Sequence, residues 1–320
     1  MTTTIWPTYA STARPSAPWG RCLGLFLLLN LQACGGDDPR GHEAEADVEM
    51  DLPAVPVALP VEMNARVERW MDRFRTDQRA SFERFLAREG LYGSLIRDKL
   101  RERGMPEELI YLAMIESGLS PRATSPVSAA GVWQFMGPTA REYGLRVDRW
   151  VDERRDPVKA TDAALDYLQW LHERYDSWYL AAAAYNAGFG RVDRVLRAHA
   201  DGRKGDEAIY WEIIEHLPRE TREYVPRLLA ATMLARQAFR EGFEVTPYGP
   251  YEYDRVWVPG NTPLAAVARS LDVPMELMGD LNPHLIRGVT PPGTSYGLRV
   301  PVGATGDVMA SLGARSYQTD

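Results

Sequence analysis

Apolar residues recur at helical spacing over most of the chain. Val67, Trp70, Met71 and Phe74 fall at i, i+3, i+4 and i+7, and Tyr92, Leu95, Ile96 and Leu100 repeat the habit. Two amphipathic helices are therefore predicted ahead of residue 105, their apolar faces packing against the domain C-terminal to them. Further helices are predicted at 106–117, 157–175, 178–187, 192–199 and 221–240. Pro106 suits a first helical position and Gly118 a helix end, while Gly188-Phe189-Gly190 closes the helix that carries Tyr185. The Gly-rich, charged stretch 201–206 reads as a surface loop, and no strand pattern stands out between residues 105 and 244. Beyond Gly242 the pattern changes. Short apolar groups recur there at Val256–Val258, Val267-Ala268, Leu271–Val273, Leu281 and Leu298–Val300. The chain up to residue 244 is thus expected to be mostly α.

The segment from Glu116 to Met136 isolates one carboxylate. No other Asp or Glu appears before Glu142. Glu116 falls in the last turn of its predicted helix, on the stripe formed by Leu109, Leu112 and Ala113. The negative end of the helix dipole and partial desolvation would both raise its pKa, as a general acid near neutral pH requires. A structural Glu that bonds the following loop fits the same residues. Asp148, Asp152, Asp156 and Glu220 are carboxylates that could approach it in space.

Four blocks in one order carry a resemblance: Glu116-Ser117-Gly118-Leu119 with the Ser125-Pro126-Val127 turn, Gly131-Val132-Trp133-Gln134-Phe135-Met136, Ala184-Tyr185-Asn186-Ala187-Gly188, and Glu220-Thr221-Arg222-Glu223-Tyr224-Val225-Pro226. Together they resemble the lytic transglycosylases, which cleave peptidoglycan glycan strands. Val132 stands where Leu is commoner in that family. The resemblance covers roughly residues 100–240 and implies a lysozyme-like fold with its cleft between helical lobes. It also implies cleavage of the β-1,4 bond between N-acetylmuramic acid and N-acetylglucosamine without water, leaving 1,6-anhydromuramoyl ends. Such an enzyme is a carbon–oxygen lyase with Glu116 as its single acid and base. Classical glycosidases need two carboxylates. Here the C6 hydroxyl of the sugar is the nucleophile.

By the same resemblance, Ser125 and Gln134 are polar groups beside the acid, and Phe135 and Met136 are cleft wall. Tyr185 and Asn186 belong to the site, with the Tyr185 hydroxyl able to hold Glu116 and its ring lining a sugar subsite; Tyr224 is the corresponding candidate from the fourth block. On the same scaffold a lysozyme-type hydrolase, or a non-catalytic wall-binding lipoprotein, remains the alternative reading.

The N-terminus adds a location. Arg14 and Arg21 precede the apolar run Cys22–Leu31, too short to span a bilayer, and Leu31-Gln32-Ala33-Cys34 looks like a bacterial lipobox. Residues 1–33 would then be a signal peptide and Cys34 the lipidated N-terminus, the rival readings being an uncleaved signal anchor or a soluble secreted form. Cys22 departs with the signal, so no cysteine is left to pair. Gly35 after Cys34 favours the outer membrane, with the enzyme facing the periplasm. Residues 34–60, rich in Asp, Glu, Gly and Pro, read as a disordered tether spanning roughly 30 Å on average. A helical lead-in occupies 61–104 and the lysozyme-like domain 105–244.

Residues 245–320 look like one LysM module, which implies a small βααβ fold that binds N-acetylglucosamine-containing glycans and makes the whole chain mostly α, of α+β class. Asn261-Thr262-Pro263 stands where Asp-Thr-Leu is usual, and a degenerate module that only packs on the catalytic domain is the alternative.

At 320 residues more than one structural unit is expected. The net charge of −7 argues against nucleic acid as a partner, because phosphate capture calls for a basic patch. The five His lack ligand spacing and no phosphate-binding loop is present, so neither metal nor cofactor is predicted. The partners implied are peptidoglycan strands and outer-membrane lipid through Cys34; nothing in the sequence identifies a protein partner.

Overall fold

The computed structural model describes residues 58–316 apart from residue 294. The expected signal peptide, Cys34 and nearly all of the expected tether therefore lie outside the described residues.

Two helices open the structure. The first, α1 (Ala65–Arg75), is capped by Asn64, whose side chain accepts from the backbone N–H groups of Arg66 and Val67. The second, α2 (Arg79–Glu102), is longer than the apolar repeat around Tyr92 announces. Next comes a 3-10 turn, Glu107–Leu109, leading into α3 (Ile110–Ser117). Pro106 precedes that turn instead of opening an α-helix. Gly118 ends α3 in the left-handed region at φ 61°, and a side chain there would strike the Phe85 ring.

α4 (Gly137–Glu142) is too short to announce itself by period. Asp156 caps α5 (Pro157–Tyr175), and Ser177 caps α6 (Trp178–Ala187). Gly188, at φ 85°, joins α6 directly to α7 (Phe189–His199). α8 (Ala208–Ile213) and α9 (Arg219–Arg236) complete the helical part. α9 runs through Pro226, which has no N–H to offer the carbonyl of Arg222. The hydroxyl of Tyr210, on α8, donates to that carbonyl and to the carbonyl of Thr221 instead. The helix continues because a side chain supplies the missing donor.

One apolar core runs from Val67, Trp70 and Phe74 of α1 through α3, α5, α6 and α9. α1 lies along α9, where Trp70 Nε1 donates to Glu223 at 2.7 Å.

The C-terminal module is β1 (Asp254–Val258), α10 (Leu264–Ser270), α11 (Met275–Leu281), β2 (Tyr296–Val300) and a further helix, α12 (Thr305–Ser316), that the sequence pattern did not announce. Its strands pair antiparallel, with Val256 opposite Leu298 and Trp257 opposite Gly297. Period two then sends Val256, Val258, Leu298 and Val300 into the module's own core. That core also takes Val151, from the loop ahead of α5, with Trp150 packed against it. The two parts are joined by more than this contact. Arg299, on β2, donates to both oxygens of Asp156 at 2.8 Å, and both residues are at most 2 % exposed. The expected fold class, mostly α with a small βααβ module, is the one observed.

Candidate active site

Glu116 is placed by the helix that carries it and by the residue after it. α3 is apolar on almost every side, and Ile110 to Ile115 are all buried. Ser117 ties its end to the next block: its hydroxyl donates to the carbonyl of Val132 at 2.7 Å and accepts from the N–H of Ser120. Within the second block Gly131 adopts φ 83°, and a Cβ there would lie 1.7 Å from the Arg154 carbonyl oxygen, so only glycine fits. Trp133 is fully buried, its indole N–H donating to Thr161 at 3.0 Å. The loop is thus pinned to α3 on one side and α5 on the other.

Tyr224 comes to Glu116 from α9. Its hydroxyl donates to Glu116 Oε1 at 2.6 Å. Desolvation pushes the Glu116 carboxyl up to about 7, against the Tyr224 hydrogen bond and the positive charge of Arg227, with Glu220 adding to the rise. The tyrosine is 6 % exposed, and burial with the facing carboxylate drives its own pKa well above the ordinary value.

The hydroxyl of Tyr185 goes elsewhere. It donates to the carbonyl of Trp133 at 2.8 Å, which corrects the expectation that it holds Glu116. Its ring meets Tyr167 at 5.4 Å and Phe135 at 6.4 Å. Glu116 still acts on it, since desolvation and then the Glu116 charge raise the Tyr185 pKa. Phe135 is buried and backs Tyr185, while Met136 is half-buried beside it in sequence. Asn186 is buried between two α9 residues, its amide donating to Glu220 at 3.3 Å and its carbonyl accepting from Thr221 at 2.8 Å.

The other two predicted residues make local bonds. The Ser125 hydroxyl accepts from the N–H of Ala129 at 3.0 Å and closes its own turn. Gln134 sits at φ 49°, its amide donating to the Gly131 carbonyl at 2.8 Å. Both bonds shape the loop after Glu116.

Arg227 was not singled out in the sequence. It lies one turn beyond Tyr224 on α9, with its guanidinium 5.4 Å from the Trp70 ring and its Nε buried without a hydrogen-bond partner. Desolvation lowers its pKa, and the nearby Glu116 carboxylate opposes that. Glu220, Tyr224 and Arg227 form an i, i+4, i+7 column, so the helical period that marked the core could have marked this face too.

Of the four distant carboxylates, Asp156 is held by Arg299, Asp152 by Arg154 and Asp148 by Arg146. Only the charge of Glu220 bears on Glu116. Among the described residues no three His, Cys, Asp or Glu side chains cluster as a metal site.

The family model described as "Transglycosylase SLT domain" matches residues 94–207, and that described as "Lytic transglycosylase MltD, LysM-like domain" matches 252–317. Membrane-bound lytic murein transglycosylase D of Escherichia coli K12 is 40 % identical over 148 residues, 46 % of this chain and 32 % of the relative. Soluble lytic murein transglycosylase of Salmonella typhimurium is 33 % identical over 125 residues, 37 % of this chain and 19 % of the relative. The chain therefore spans less than a third of the length of either. The solved 70 kDa soluble lytic transglycosylase of Escherichia coli aligns over 46 % of this chain and 24 % of its own at 27 % identity, with a TM-score of 0.39. On the two family matches, this chain carries a transglycosylase SLT domain followed by a LysM-like domain of the lytic transglycosylase MltD type.

Proposed function

We propose that the chain is a peptidoglycan lytic transglycosylase using Glu116 as its only acid and base. The observation that carries this reading is the half-buried Glu116 carboxyl, which lies within the residues matching the SLT domain, is raised to about 7 and is held at 2.6 Å by Tyr224 of α9. Protonated Glu116 donates its proton to the glycosidic oxygen, and the bond from that oxygen to C1 of the muramoyl sugar breaks. The carboxylate so formed takes the proton of the C6 hydroxyl as that oxygen bonds C1, closing the 1,6-anhydro ring. One carboxyl thus acts twice and returns to its starting state. Tyr185 and Met136 line the sugar path, with Phe135 buried behind Tyr185 instead of forming the cleft wall itself, Ser125 and Gln134 shape the loop beside it, and Asn186 steadies α6 against α9.

Supporting this reading, the first relative's name places it on a membrane and on murein. Cleavage before Cys34 and lipidation there would put this chain in the cell envelope, as an outer-membrane lipoprotein facing the periplasm, with residues 34–60 as its tether. Replacing Cys34 by Ser should abolish palmitate labelling.

A hydrolase on the same scaffold would need a second carboxylate, and Glu220 is the group placed to influence Glu116. Mass analysis of products released from sacculi by the purified chain separates the two. Anhydro ends, one water lighter than reducing ends and lost in Glu116→Gln, are expected. Reducing ends would mean hydrolysis, and no soluble product a binding protein.

A further inference from the structure

A recess of about 250 Å³ opens between the outer face of the C-terminal sheet and the start of α5. It shares no residue with the Glu116 site. We infer that it binds a carboxylate-bearing sugar, seated on Trp257 and paired with Arg255; the choice of a muramoyl peptide among such ligands rests on the proposed peptidoglycan activity.

The sheet register builds the platform. Arg255 and Trp257 point to the same face of β1, opposite Arg299 and Gly297 of β2. At Gly297 a Cβ would lie 3.0 Å from Arg255 Cδ and 3.7 Å from the Trp257 ring. The missing side chain lets the guanidinium and the indole lie down together across β2. Trp257 is 64 % exposed, and an aromatic face beside a cation suits a sugar that carries an anion.

The lining also shows which groups are free to bind. The carboxylate of Glu153 is taken up by Lys159 and the N–H of Arg146. That of Asp156 is taken up by Arg299 and the first N–H groups of α5. The anions on the wall are therefore already satisfied. Arg255, by contrast, is exposed and makes no ion pair among the described residues. His284, on the floor, is held neutral by burial, its pKa lowered to about 4, and adds no charge. Among the groups that reach the opening, the uncommitted charge is positive.

N-acetylmuramyl-L-alanyl-D-isoglutamine is the anionic probe and N-acetylglucosamine the neutral one. Titration calorimetry on the Glu116→Gln chain avoids turnover. Trp257→Ala and Arg255→Ala should each weaken the anionic probe about tenfold, with Arg255→Lys recovering part of the loss. Arg255→Ala should leave the neutral probe unchanged. Both positions are exposed, so melting temperatures should not move. Unchanged affinity in both alanine variants, or no measurable binding of the anionic probe, overturns the proposal.

Cosedimentation with sacculi distinguishes the source. Lost retention in Trp257→Ala assigns the recess to glycan strands, and full retention with lost probe binding assigns it to released fragments. The proposed activity fails separately, by the absence of anhydro products from the unaltered chain.

Discussion

The Tyr224 hydroxyl donates to Oε1 of Glu116 at 2.6 Å, joining two residues 108 positions apart. That bond favours the charged form of the acid, while burial favours the neutral one, and burial is the larger effect. The carboxyl is left near neutrality, where it can give a proton and take one back.

Removing the hydroxyl tilts this balance. In Tyr224→Phe the carboxylate loses its donor, the Glu116 pKa rises, and the alkaline limb of the rate profile should move up by about one pH unit. The maximal rate should fall as well, because the carboxyl is no longer held. A limb that stays where it is would remove Tyr224 from the control of Glu116.

Arg227→Met should move the same limb in the same direction but less far. The arginine charge favours the carboxylate, and its influence on Glu116 ranks after the tyrosine bond. Arg227→Lys, keeping the charge, should restore most of the original profile. A downward shift in the methionine variant would reverse the sign of this argument.

The raised acid also predicts a cost in stability. An unfolded Glu ionises near 4.5, whereas folded Glu116 does so near 7. Between these values the folded state holds the extra proton, so stability falls as pH rises through the interval and is fully reduced above it. Glu116→Gln should therefore melt close to the unaltered chain at pH 4 and be more stable at pH 8, by up to about 3 kcal/mol. Equal differences at both pH values would contradict a desolvated carboxyl with a raised pKa.

Asp156→Ala tests the junction of the two parts. It leaves the Arg299 guanidinium buried without its carboxylate and removes the cap of α5. A loss of about 3–5 kcal/mol is expected by denaturant unfolding. Asp156→Ala with Arg299→Met should recover much of it, since the stranded charge is then gone.

Much of this was readable from sequence because helices repeat. The spacing of Val67, Trp70, Met71 and Phe74 announced α1, and the helices predicted at 157–175 and 178–187 are α5 and α6. α4 and α8, six residues each, are too short to show a period, and the apolar positions of α12 did not stand out. Pro226 inside α9 could be understood only once Tyr210 was seen beneath it. At the site, Glu116 was legible as an isolated carboxylate. Which tyrosine would bond it was not, because that depends on how α6 and α9 cross, and the third block gave the wrong hydroxyl. Arg227 was passed over since an arginine on a helix is ordinarily on the surface; here Trp70 covers it.

The junction at Asp156 bears on how this architecture can be rebuilt. Trp150 and Val151 plug the C-terminal module, the His284 carbonyl accepts from the N–H of Asp152, and Arg299 locks onto the cap of α5. The module is consequently no bead on a string. A chimaera that exchanges only the residues after 244 would keep the buried Asp156 carboxylate without its arginine and the Val151 plug without the core it fills. Recombination that preserves folding has to move residues 149–156 as well, so the two parts are inherited as a pair.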